Sequence, residues 1–131
     1  VRAILEGTTV SDDLGVNDSG MLLDFGHIKN LLMLHVHDEF DHAFIYQTGD
    51  PVGSEMYEVC ANIVGIQDPR VFEVPFIPTA ENLAKHFFEV LYPKFSAVYD
   101  NQLQLSEIVV WETPTSVAYY GVEDHLLSME D

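Results

Sequence analysis

Positive charge is what this sequence has least of: 5 Lys and Arg stand against 22 Asp and Glu, a net charge of −17 at pH 7. Such a field repels nucleic acid and anionic membranes, which are bound through clustered cations. Neither is expected as a partner. An anionic substrate would have only Arg2, Lys29, Arg70, Lys85 and Lys94 to meet it. The remaining acid reads as a solvated surface that keeps the protein soluble. Cysteine is nearly absent. The single Cys60 excludes an internal disulfide and fits a reducing, cytoplasmic setting. Free cysteines are often buried and inert, and Cys60 is assigned no role. No apolar run approaches the roughly 20 residues that cross a bilayer. Gly and Pro, at 8 and 6 residues, are too sparse for a disordered or fibrous class. The opening Val1-Arg2-Ala3-Ile4-Leu5-Glu6-Gly7 has neither Met nor a signal-peptide layout. It reads as the middle of a strand, so the sequence is expected to begin partway into a protein.

What is present suffices for one core: hydrophobic residues make up 47% of 131 positions, the size of a single domain. No repeat or low-complexity tract divides it. Residues 1–7 read as a strand, followed by a polar loop from Thr8 to Gly20. Asp24 is suited to cap a helix, in which Phe25, Ile28, Leu32 and Val36 form an apolar face and which runs to about Phe40. Residues 47–70 show turn signals, no clean period, and one short helix near Met56–Ile63. Val71–Val74 resumes a strand. A second helix follows Pro78-Thr79, with Glu81 in its first turn where the dipole favours an acid. Ala80, Leu83, Ala84, Phe87, Phe88 and Leu91 form its apolar stripe, and Pro93 is expected to end it. Glu107–Thr113 and Val117–Gly121 read as a hairpin around Pro114-Thr115-Ser116. The expected fold is α+β, an antiparallel sheet of about four strands with two helices on one face. Its open edges call for pairing with another chain.

Four places carry chemistry-bearing residues. Asp41-His42 sets a carboxylate beside an imidazole, which orients the ring and raises its basicity. The competing reading is a helix-end histidine that meets the last carbonyls. Glu112 falls on the same side of its strand as Ile108 and Val110 by period two, an inward acid that needs a partner. Thr79 and Glu81 sit at a helix start, where free N–H groups suit an anion or polar ring edge, although Thr79 could simply cap. His35 and His37 point about 200° apart on a helix and cannot easily share a metal. His37 and Asp41, four apart, can touch but do not make a metal site.

Three segments in order, Gly20-Met21-Leu22-Leu23-Asp24-Phe25-Gly26-His27-Ile28-Lys29 with Phe40-Asp41-His42, Pro78-Thr79-Ala80-Glu81-Asn82-Leu83, and Val110-Trp111-Glu112-Thr113-Pro114-Thr115-Ser116, carry a family resemblance. Together they resemble the 6-pyruvoyltetrahydropterin and 6-carboxytetrahydropterin synthases, from about Leu5 to Tyr120. The resemblance implies the tunnelling fold, with subunits joined edge to edge into a trimeric barrel and two trimers stacked as a homohexamer. It implies a lyase acting on dihydroneopterin triphosphate. Asp41 and His42 would serve in its proton relay, Glu112 would hold the pterin ring, and Thr79 and Glu81 would lie beside the pterin. His27 departs from the family, which usually has an acid there.

Family members also carry a histidine-ended strand, a cysteine and a His-x-His pair that supply the zinc ligands and the base. Nothing in this chain matches those elements, so the zinc expected in the full-length protein would have its ligands upstream of Val1, with none in this chain. The Trp111–Ser116 segment looks more like the carboxy branch, which leads to queuosine precursors. The alternatives are the pyruvoyl branch, or a tunnelling-fold oligomer that binds a pterin or purine without turning it over.

Overall fold

The fold is that of a computed structural model, which describes residues 1–7, 25–63, 69–99 and 103–130. The expected polar loop and the Asp24 cap lie outside the described residues. Strand β1 (Arg2–Gly7) is followed by helix α1 (Phe25–Leu32), which passes through a π-helical turn (Met33–His37) into the short α2 (Asp38–Phe40). Then come β2 (Phe44–Gln47), α3 (Pro51–Asn62), β3 (Val71–Val74) and the long α4 (Ala80–Tyr99). The hairpin β4 (Leu103–Thr113) and β5 (Ser116–Gly121) leads into α5 (Val122–Met129).

The main sheet is antiparallel, in the order β1-β4-β5. Arg2 stands opposite Val109, and Val110 opposite Ala118. One face of this sheet carries the core. Phe88, Leu91 and Phe95 of α4 and Leu105 and Ile108 of β4 are wholly excluded from solvent, with Leu103 at 2%. Full burial of such side chains contributes about 1.5–3 kcal/mol each. The inward residues of β4 are spaced 103, 105, 108, 110. The odd step is absorbed by the register shift in the β1–β4 pairing between Ile4 and Leu5, so a bulge keeps both halves of the strand facing α4. On the other face Val109 is buried, but Ile4, Trp111 and Tyr119 are exposed, and the Arg2 guanidinium lies 4.8 Å from the Trp111 ring centre.

Three expectations are corrected, and one element is new. Helix α4 does not stop at Pro93 but continues to Tyr99. An interior proline costs about 3 kcal/mol, yet Pro93 is on the exposed side, and burial of Leu91 and Phe95 around it offsets that cost. Val71–Val74 does not join the main sheet, which has three strands among the described residues. It pairs in parallel with β2, a strand that the sequence pattern did not single out. Helix α3 starts at Pro51, earlier than expected, because the Asp50 carboxylate accepts the Val52 N–H at 3.0 Å. Helix α5 was not anticipated; its His125 ring packs against Phe88 and Tyr92.

Helix α3 rests on Tyr46 through Gly53, the buried residue of its inner side. A Cβ at Gly53 would lie 2.6 Å from the Tyr46 Cβ and closer still to its ring. Alanine is the better helix former by up to about 1 kcal/mol, but overpacking costs about 1–3 kcal/mol. Gly53→Ala is therefore expected to lower stability in denaturant unfolding, and a gain would show that α3 lifts off Tyr46 freely.

Candidate functional site

The chain leaves its first helical stretch in two abrupt steps. Asp41 is extended, with φ −66° and ψ 128°. His42 then adopts φ 55°, the only non-glycine residue with positive φ among the described residues. That left-handed conformation costs roughly 1–2 kcal/mol for a residue with a Cβ. Just upstream the helix widens into its π-helical turn, where the Asp38 N–H reaches back to the Met33 carbonyl. Such bulges are frequent at functional sites.

The outcome is a compact polar group. His42 Nδ1–H donates to Asp41 Oδ2 at 2.8 Å, and His37 Nε2 lies 3.6 Å from the same oxygen. Asp41 is half-exposed, while the His42 side chain is 89% exposed and its Nε2 has no partner among the described residues. The hydrogen bond from His42 holds the Asp41 carboxyl below its usual 3.8. Desolvation, the next largest cause, opposes this, and the charges of His42, His37 and Arg70 reinforce it.

Arg70, which the sequence offered only as one of five cations, completes the group. Its Nη1 donates to the Asp38 carbonyl at 2.7 Å and its Nη2 to the Asp41 carbonyl at 2.6 Å. Helix-end carbonyls need donors, and Arg70 supplies them. The His42 ring is therefore not the capping group that the competing reading made it.

The other sequence candidates lie elsewhere on the surface. Thr79 caps α4, its Oγ1 accepting the Asn82 N–H at 3.2 Å. Glu81 follows in the first turn, exposed. Glu112 is exposed rather than inward, and makes no hydrogen bond or ion pair among the described residues. The pairing of β4 with β5 shifts register between Trp111 and Thr113, and a bulge of this kind re-aims the side chain it contains.

An open cavity of about 700 Å³ lies beside the polar group. Ile28, Leu32 and Val36 form one wall and Leu83 and Phe87 of α4 another, with Val110 on the sheet and His37 and Asp41 at the polar end. Mostly apolar clefts with a few convergent polar groups are the usual form of small-molecule sites. Leu83 is one turn beyond Thr79 and Val110 two residues before Glu112, so the cavity runs toward the elements that carry the remaining candidates. Within one chain, Glu112, Thr79 and Glu81 do not line it.

The family profile described as 6-pyruvoyl tetrahydropterin synthase matches residues 2–123. This chain belongs to that family. Among similar curated proteins is the 6-carboxy-5,6,7,8-tetrahydropterin synthase of Aquifex aeolicus, 37% identical over 121 residues, or 92% of this chain and 71% of that protein. The protein of the same name from Haemophilus influenzae is 35% identical over 100 residues, covering 76% of this chain and 64% of its own length. That of Rickettsia bellii is 32% identical over 114 residues, 86% of this chain and 75% of the relative. The chain thus spans roughly two thirds to three quarters of the relatives it matches. A crystal structure of an uncharacterized Wolinella succinogenes protein superposes with a TM-score of 0.63 at 21% identity, over 79% of this chain and 68% of that one. It supports the fold alone.

No group of three or more His, Cys, Asp or Glu side chains among the described residues is placed to hold a metal ion. No helix among them is long and apolar enough to cross a membrane.

A carboxyl held below its usual value stabilises the fold above that value, and the contribution fades as the pH falls through the native midpoint. The Asp41 carboxyl carbon, followed by NMR, should titrate below 3.8 in the parent. His42→Ala should move the midpoint up, because the His42 hydrogen bond is the largest cause. An unmoved midpoint would remove that bond from the account.

Proposed function

We propose that this chain supplies the proton-relay and pterin-holding residues of a 6-carboxytetrahydropterin synthase, a lyase acting on dihydroneopterin triphosphate. The observation that carries the reading is the Asp41–His42 pair: a 2.8 Å hydrogen bond that orients a ring left 89% exposed. The shared name of the three relatives supports the carboxy branch over the pyruvoyl one.

In this reading the Asp41 carboxylate accepts from Nδ1, fixes the tautomer and leaves Nε2 as the atom that takes and returns a proton. Glu112 presents two acceptor oxygens to the adjacent amino and ring N–H groups of a pterin, a pair of charge-assisted hydrogen bonds. Thr79 and Glu81 lie beside the ring at the start of α4, where backbone N–H groups suit a polar edge. The described residues offer no ligand set for zinc, and the chemistry assigned to this chain is that of its own side chains.

Glu112, Thr79 and Glu81 do not share the cavity with Asp41 inside one chain, so a complete site calls for a neighbouring subunit. The edges of β1 and β5 and the exposed Ile4, Trp111 and Tyr119 support a trimer or hexamer. Queuosine precursors would lie downstream of this reaction, and zinc would be its cofactor.

Two variants of the full-length protein separate binding from turnover. Glu112→Gln replaces one acceptor oxygen with a donor that faces a ring N–H. Hydrogen bonds to charged groups contribute about 1.5–3 kcal/mol, so calorimetry should show pterin affinity falling roughly tenfold to a hundredfold. Its unfolding temperature should hold, since Glu112 is exposed and makes no hydrogen bond or ion pair among the described residues. His42→Ala should retain affinity and lose about 10²–10⁴-fold in kcat. Unchanged affinity in the first variant would remove the pterin assignment, and unchanged kcat in the second would remove the relay.

A further inference from the structure

We infer that Arg70 is a positioning residue for the Asp41–His42 pair, an inference that rests on the relay reading of that pair. Arg70 lies 29 positions from Asp41 in sequence, at the entry to β3. Its guanidinium takes the carbonyls of Asp38 and Asp41 at 2.7 and 2.6 Å. Its own backbone carbonyl accepts the Phe44 N–H at 2.7 Å. One residue therefore holds the chain on both sides of the Asp41-His42-Ala43 turn.

The Asp41 carbonyl is the decisive contact. It belongs to the peptide that joins Asp41 to His42, and a peptide is planar. Holding that oxygen fixes ψ of Asp41 and φ of His42 together. Those are the two dihedrals by which the chain departs from the helix, at 128° and 55°. A strained conformation persists only where its surroundings over-determine it. The remaining backbone bonds of the turn are from Asp41 N–H to the His37 carbonyl at 3.0 Å and from Ala43 N–H to the Phe40 carbonyl at 3.2 Å. Neither holds the Asp41–His42 peptide. The fork of a guanidinium suits two carbonyls at once, and a lysine cannot reproduce it.

Two simpler roles have different signatures. One is that of a nearby positive charge alone, the other that of a staple between α2 and β3 alone. The groups that face Asp41 are His42, His37 and Arg70. A charge acts on Asp41 whether or not His42 is present, whereas a positioning residue acts through the His42 bond. A staple alters unfolding without altering the pair.

The test is a double-mutant cycle read by NMR at the Asp41 carboxyl carbon, in the parent, Arg70→Met, His42→Ala and the double variant. Circular dichroism confirms that each is folded, and Arg70→Lys serves as a second variant that keeps the charge without the fork. The expected result is a rise of the Asp41 midpoint in Arg70→Met that is much smaller in the His42→Ala background. Arg70→Lys should resemble Arg70→Met more than the parent. In the full-length protein, Arg70→Met should lower kcat about tenfold to a hundredfold with KM little changed, the cost of a misplaced catalytic group. Equal midpoint shifts in both backgrounds, a lower melting temperature with the midpoint unmoved, or unchanged kcat would each overturn the inference. Full activity in His42→Ala would instead overturn the relay reading, a separate result from the Arg70 arms.

Discussion

The rest of the structure depends on one apolar seam, where Phe88, Leu91 and Phe95 of α4 lie on Leu103, Leu105 and Ile108 of β4. None of these six side chains is more than 2% exposed. The seam decides the length of α4, since the burial of Phe95 carries the helix past Pro93. It also explains the bulge in the β1–β4 pairing, which keeps Leu105 and Ile108 on one face. Helix α1 and the π-helical turn after it join the core, with Val36 of the turn buried and Ile28, Leu31 and Leu32 of α1 packed against the cluster. That fixes where the helix must end, and its end is where the functional pair sits.

The polar group is peripheral to this core, and its geometry is held by backbone contacts. The first helical stretch ends against a wall of aromatic rings: Phe40 packs on Phe72 and Phe87, each with ring centres 5.1 Å apart. Directly after Phe40 the chain turns out to solvent, and Arg70 grips the departing carbonyls. The parallel ladder of β2 and β3 is what brings Arg70 there, because Phe44 pairs with Val71 at its first rung. A small two-stranded sheet outside the main one thus serves the site. Helix α3 connects its two strands and is seated on Tyr46 through Gly53.

Much of this was legible in the sequence. The apolar spacing of Phe25, Ile28, Leu32 and Val36 and the stripe from Ala80 to Leu91 gave both principal helices. The hairpin around Pro114-Thr115 needed only its turn residues. The start of α3 was also legible in principle, as Asp50-Pro51 is an N-cap followed by proline at the first helical position. The Asp41-His42 dipeptide, Thr79 and Glu112 were visible as candidates, and membership of the tetrahydropterin synthase family followed from the segments around them.

Local pattern by itself determined the two principal helices, the inward stripe of α4, the β4–β5 hairpin and the adjacency of Asp41 to His42, because these depend on residues within a few positions of one another. On α1 the expected apolar face holds for Ile28 and Leu32, while Phe25 is exposed. The tertiary structure decided what depends on distant partners. It carried α4 through Pro93, where core burial outweighs a local penalty, and paired β2 with β3 in parallel, which no short-range period encodes. It turned Glu112 outward at a bulge that β5 imposes, and it brought Arg70 across 29 positions to the Asp41 carbonyl. A proline, an acid and an arginine each have a local meaning in sequence, and in each case a contact made elsewhere in the fold overrode it or added to it.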